Sequence, residues 1–224
     1  MKLFLLIPIF LFAFSSKYFN GEINIKCNKV LHKKAFDICY SCKYKEPLIV
    51  AYTLHKKLVN KNNFSRKFLH FKPDYNLPTK CRSYPKNYSR TGFDKGHLAP
   101  NASFDYNRTI QKETFLMSNI APQKPQLNRK LWAKVERLER FLATKYEKVN
   151  VITGVCGSLG YIKNKVNIPA YWFKVIQIPS IKKYIAFLAP NTNKGMSKAH
   201  LKKYKSSLKE IEAICNYSII LKTK

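Results

Sequence analysis

Thr91-Gly92-Phe93-Asp94-Lys95-Gly96-His97-Leu98-Ala99-Pro100-Asn101 is the stretch around which this chain is organised. An acid, a lysine and a titratable imidazole surround Gly96, with apolar Leu98 and Ala99 behind them and Pro100 closing the run. Gly92 and Gly96 are two of seven glycines, and their placement predicts a backbone that bends where a side chain would obstruct it. In a chain of net charge +30, an imidazole beside a lysine at such a turn points to phosphate chemistry. Alone, a histidine after glycine fits a structural role better, because its ring nitrogens readily satisfy buried partners.

Two residues further along the chain narrow the choice. Asn128 comes 31 residues after His97, within Pro-Gln-Leu-Asn-Arg-Lys-Leu-Trp-Ala-Lys-Val-Glu, and Glu136 lies eight residues beyond it. The combination of Asp-Lys-Gly-His-Leu-Ala-Pro with Asn-x7-Glu resembles the DNA/RNA non-specific endonucleases, the ββα-metal nucleases related to Serratia nuclease and endonuclease G. The family signature is Asp-Arg-Gly-His, and Lys95 stands here in place of the arginine. The likeness continues through Ser118–Gln123, Val151–Gly157 and Ile168–Ile176, and covers roughly residues 47 to 217.

The resemblance implies an α+β fold, a central antiparallel sheet flanked by helices, with a ββα-metal active-site motif. It implies His97 as general base, Asn128 as the direct metal ligand through its amide oxygen, and Glu136 as the carboxylate that orients the ion's water. Arg66 and Arg140 are the matching cations, while Asp94 and Lys95 support the site or the substrate phosphate. Arg66 is the arginine upstream of the histidine motif, and a solvated loop cation is its plain alternative. The implied ion is Mg2+, with Mn2+ as a possible substitute, because magnesium keeps most of its waters and suits a site with few protein ligands. The implied substrates are DNA and RNA, cut to leave 5′-phosphate ends.

The charge agrees with an anionic partner. Forty-two Lys and Arg stand against 12 Asp and Glu, an imbalance that repels itself in the compact state. Base composition can enrich lysine, but it does not by itself deplete the acids. On charge alone, nucleic acid and an anionic membrane surface both remain open.

Residues 1–15 read as a secretory signal peptide: Lys2, an apolar run from Leu3 to Phe14, then small residues at cleavage spacing near Ser15. Such a run is too short to span a bilayer comfortably, and no later segment reaches spanning length without charge. The expectation is therefore a secreted or periplasmic protein without stable membrane insertion, residues 16–224 forming a single endonuclease domain. The six cysteines (27, 39, 42, 81, 156 and 215) then favour disulfides, although Cys39-Tyr40-Ser41-Cys42 also admits a redox dithiol or half a zinc site. Six cysteines allow fifteen pairings.

Strands are expected at Pro47–Leu54, Val149–Val155, Tyr171–Ile178 and Tyr184–Leu188, with a long basic loop over 55–90. The clearest helix covers 126–143: Leu127, Leu131, Val135, Leu138 and Leu142 form an apolar stripe, and Asn128, Trp132, Glu136 and Arg140 line its edge. Glu136 and Arg140 also fit an i,i+4 surface ion pair. Basic amphipathic helix is expected over 197–208 and 209–214. Two rivals to the enzyme stand: a catalytically inactive basic nucleic-acid-binding protein, supported by Lys95, and a disulfide-linked surface protein, for which the motifs would be coincidence.

Overall fold

The computed structural model describes residues 13–61 and 63–222. In chain order the strands are Ala13–Ser15 (β1), Gly21–Asn24 (β2), Lys29–His32 (β3), Phe36–Ser41 (β4), Glu46–His55 (β5), Asp94–His97 (β6) and Ile120–Gln123 (β7). They continue with Lys148–Cys156 (β8), Tyr161–Ile162 (β9), Val166–Asn167 (β10), Tyr171–Ile178 (β11), Lys183–Pro190 (β12), Lys205–Ser206 (β13) and Ser218–Leu221 (β14). The α-helices are Lys56–Val59 (α1), Arg108–Thr114 (α2), Ala133–Lys145 (α3) and Leu208–Cys215 (α4).

Seven strands make one antiparallel sheet in the order β13-β12-β11-β8-β5-β4-β3. Its inner strands are buried along most of their length because both faces are covered. Side chains alternate across a strand, so β5 sends Val50, Tyr52 and Leu54 to one face and Ile49 and Ala51 to the other. The first face packs on Leu131, Trp132, Val135 and Leu142 of the long helical segment. The second packs on Phe14, Ile23, Ile211 and Ile219, from α4 and a small sheet ordered β1-β2-β14. The four expected strands are all present, within two residues at their ends. Gly154 is fixed by this packing: a Cβ there would stand 2.2 Å from the Phe173 ring.

Three expectations change. Gly96 does not bend the chain. It sits in extended β6, where a Cβ would lie 2.5 Å from Gln123 Oε1 and 2.8 Å from the Trp172 ring, so close packing excludes a side chain. The bend belongs to Gly92, at φ +75°. The segment 197–208 is not a continuous helix. It forms a 3-10 turn at Leu201–Tyr204 and then β13, paired with Ala186 and Phe187. Leu201 and Tyr204 turn inward three residues apart, a spacing that a 3-10 turn satisfies as well as an α-helix. The helix starts only at Leu208, where the Ser207 hydroxyl accepts the Glu210 backbone N–H at 3.1 Å. The site helix, finally, opens as a π-helix over Leu127–Trp132 before becoming α3.

The cysteines pair as 27–39, 42–81 and 156–215, with none free. Cys39 and Cys42 thus have separate partners, which removes the redox and zinc readings. Three disulfides point to an oxidising, non-cytosolic compartment. No helix among the described residues is long and apolar enough to cross a membrane. Of the expected signal segment, residues 1–12 lie outside the described residues, and Ala13–Ser15 form β1 with Phe14 buried.

Candidate active site

β6 and β7 pair antiparallel, Asp94 opposite Gln123 and His97 opposite Ile120, and the helical segment comes directly after β7. This ββα unit frames a cleft of about 510 Å³ lined by Arg66, Phe71, Asp94, Lys95, His97, Asn101, Asn128, Arg129 and Glu136, among others. Alternation along β6 divides the work. Asp94 faces the helix, while Lys95 and His97 face the loop that carries Arg66 and Phe71.

The His97 ring is held between Phe71 and Phe115, with centroids at 5.3 and 5.2 Å. Its Nε2 is buried and has no hydrogen-bond partner. Burial, and then the charge of Arg66, push its pKa down to about 3. The imidazole is therefore neutral at ordinary pH, as a proton acceptor must be. Arg66 lies over the other neighbour, with Cζ 5.5 Å from the Phe115 centroid.

Across the cleft, Asp94 Oδ2 accepts from Asn128 Nδ2 at 2.9 Å and from Arg129 Nε at 2.8 Å, while Oδ1 accepts from Arg129 Nη2 at 2.6 Å. Burial pulls the Asp94 carboxyl upward, but these hydrogen bonds and the charges of Arg129 and Lys95 outweigh it, leaving it below the usual carboxylate range. Glu136 is the opposite case. Burial raises it most, Glu139 adds repulsion, and Lys174, Arg140 and Arg137 only partly offset this, so its pKa rises to about 7.

Residues 16–223 match the model of the DNA/RNA non-specific endonucleases. The chain belongs to this family. It is 32% identical over 161 residues to a nuclease of Nostoc sp. strain PCC 7120, an alignment covering 67% of this chain and 59% of the relative. Against human mitochondrial endonuclease G it is 29% identical, covering 64% of this chain and 52% of the relative. Against the mitochondrial nuclease of Saccharomyces cerevisiae the figures are 33%, 55% and 38%. The chain thus spans between about two fifths and three fifths of these relatives' lengths. In fold it is similar to a chain in the crystal structure of the EndoG/EndoGI complex, with TM-score 0.79 and 24% identity over 87% of this chain and 85% of that one.

Within this family member, the cleft gathers Arg66, Asp94, Lys95, His97, Asn128 and Glu136, but not Arg140. Arg140 donates to Ser103 Oγ at 3.4 Å and forms no ion pair with Glu136 among the described residues. Ser103 in turn donates to Glu139, which is paired with Lys174 in full burial. Tyr52 donates to the same carboxylate at 2.9 Å and accepts from Lys174 at 2.9 Å. This network joins α3 to β5, to β11 and to the Asn101–Ser103 turn on the cleft wall.

Sequence reasoning did not single out Arg129, Glu139 or Lys174. Lys174 left a signal, as a lone cation in the apolar run Tyr-Trp-Phe-Lys-Val-Ile-Gln-Ile, which a buried partner must neutralise. Arg129 left none, being one of many basic residues.

A divalent cation fits the donors present. Asn128 spends its amide N–H on Asp94, which leaves its carbonyl Oδ1 without a side-chain bond among the described residues, and Asn128 lines the cleft together with Glu136. Among the described residues no three His, Cys, Asp or Glu converge as a metal cage. A sparse, all-oxygen donor set suits a hard ion that keeps most of its water.

Proposed function

We propose that this chain is an exported, metal-dependent endonuclease that hydrolyses DNA and RNA without regard to sugar, leaving 5′-phosphate ends. The observation that carries the reading is one cleft holding a neutral imidazole opposite an amide oxygen and a carboxylate, with three cations on its walls. His97 accepts the proton of a water attacking phosphorus in line. Arg66, on the histidine's side, meets a phosphate oxygen and adds to the burial that keeps the imidazole unprotonated. Lys95 adds a point charge, without the fork of an arginine. Asn128 and Glu136 are the residues that would hold the ion, Asp94 fixing the Asn128 amide in the ligating orientation. Magnesium, or manganese in its place, supplies positive charge against the crowded phosphorus and the departing 3′-oxygen when bound. Arg140 acts from behind the cleft wall, through Ser103, and not on phosphate directly.

Contacts aimed at phosphate carry no base information, which accounts for sequence-independent cutting. Export accords with the disulfides. The reading as an inactive binder rested on Lys95 alone, and Lys95 lines a cleft in which the other groups are present. The test is plasmid incubated with purified protein, magnesium and then chelator. Nicking that the chelator stops supports the enzyme. Binding without nicking supports the inactive protein and overturns the proposal.

A further inference from the structure

We infer that Arg129 is a substrate-binding residue, gripping a non-bridging oxygen of a phosphate beside the scissile bond with the guanidinium edge that Asp94 leaves open. This inference rests on the phosphodiesterase reading above. Three cations line the cleft: Arg66, Lys95 and Arg129. Arg66 belongs to the histidine's side, since its charge acts on His97 and its side chain lies over Phe115. The Lys95 ammonium stands over the rings of Phe71 and Tyr88, at 5.3 and 5.8 Å, and offers a point charge where a bidentate clamp is wanted. The side that carries Asn128 has Arg129 alone among these three.

Its geometry is that of a prepared clamp. Arg129 Nε and Asn128 Nδ2 bond the same atom, Asp94 Oδ2, so the two side chains converge at one point of the wall. A phosphate approaching Asn128 therefore comes within reach of Arg129. Asp94 engages Nε and one hydrogen of Nη2, two of the five guanidinium N–H groups, and leaves the rest available. The Arg129 side chain is 67% exposed where it lines the cleft. An ion pair this exposed contributes little to stability. It does hold the guanidinium in one orientation before substrate arrives, which reduces the ordering cost of binding.

The test uses Arg129→Ala, Arg129→Lys, Lys95→Arg and the double variant Lys95→Arg/Arg129→Ala, assayed on a single-stranded oligonucleotide. Binding is read in a His97→Ala background across a salt series. A lost phosphate contact lowers the slope of log affinity against log salt by about 0.7 for single strands. We expect Arg129→Ala to show that drop and to raise KM about 10- to 100-fold, the range for losing a charged hydrogen bond, while the magnesium midpoint stays in place. Arg129→Lys should keep the slope and lose part of the affinity. Lys95→Arg should recover most of the loss in the double variant by returning a fork to the cleft. An unchanged salt slope with a shifted magnesium midpoint would mean that Arg129 only holds Asp94, and would overturn the inference. So would a double variant no better than Arg129→Ala. Failure of the underlying reading looks different: the unaltered protein itself would not cut, whatever Arg129 does to binding.

Discussion

Asn128 donates its amide N–H to Asp94 Oδ2 at 2.9 Å, which decides which end of the amide faces the cleft. In the proposed mechanism the bond gives Asp94 a definite task, orienting the neutral oxygen that would meet the cation, while the proton transfer would belong to His97 on the other wall.

The two walls should fail differently. His97→Ala leaves the basic surface intact, so nucleic acid still binds while kcat falls about 100- to 10,000-fold, the range for a lost general base. Asn128→Ala weakens ion binding, and its defect should be partly relieved by more magnesium. A magnesium titration of both variants, beside a binding assay on an uncleavable oligonucleotide, reads the distinction. Recovery of His97→Ala at high magnesium would remove His97 from its role.

Glu136 makes the cleft costly to fold at high pH. Below about pH 4.5 the carboxyl is protonated whether the chain is folded or not. Between there and about pH 7 the unfolded chain releases the proton and the folded chain keeps it, so stability falls as pH rises and the loss is complete above about 7. Glu136→Gln should therefore gain about 1–3 kcal/mol at pH 8, allowing for partial solvent screening, and almost nothing at pH 4.5. Magnesium should narrow the gap at pH 8. Denaturant midpoints at the two pH values, with and without the ion, measure this. An equal midpoint for both proteins at pH 8 would contradict the raised pKa of this carboxyl.

Cleavage should fall steeply with salt. A net charge of +30 binds a polyanion by releasing its counterions. Initial rates at fixed magnesium, taken from low ionic strength to about 0.15 M, should decline along a straight log–log line. A flat profile would mean that phosphate contacts do not dominate binding.

Cys42–Cys81 closes a separation of 39 residues and fixes the far end of the loop that carries Arg66 and Phe71. Replacing both cysteines with serine should cost about 4 kcal/mol on chain-entropy grounds. Because Arg66 and Phe71 flank His97, specific activity should also drop in the fraction that remains folded. Full activity with an unchanged melting midpoint would show that the loop is held by other contacts.

Lys174→Met leaves the Glu139 carboxylate buried without its cation and should cost about 3–5 kcal/mol. Lys174→Met with Glu139→Leu removes both charges and should recover most of that loss. Thermal melts of the single and double variants decide whether the pair is worth more than the apolar packing that could replace it.

The sequence carried the inner strands because β5, β8 and β11 are nearly continuous apolar runs, the pattern that burial on both faces imposes. The gathering of His97, Asn128 and Glu136 in one cleft was legible because their order and spacing are characteristic of a family. The N-terminal strands were not legible for the converse reason. β4 buries Asp37 and Ser41 among its apolar residues, and β3 buries only Leu31, so neither presents a run or a clean alternation. Arg140 and Arg129 show what spacing cannot supply. Steps of four placed Arg140 beside Glu136, yet it turns to Ser103, while Arg129, outside that pattern, reaches the cleft through its bond to Asp94. Which way a long cation turns depends on an acceptor from another part of the chain.

In the small sheet β1 and β14 flank β2 on opposite sides, so both ends of the described chain lie on the face of the large sheet away from α3. A tether attached at either end therefore leaves from the back of the molecule. Such a leash, whether an uncleaved leader or an engineered linker to a bead, leaves the mouth of the cleft open to long polymers. An immobilised form joined through residue 13 or 222 should keep its access to substrate, whereas one attached through a lysine of the Arg66 loop would block its own entrance.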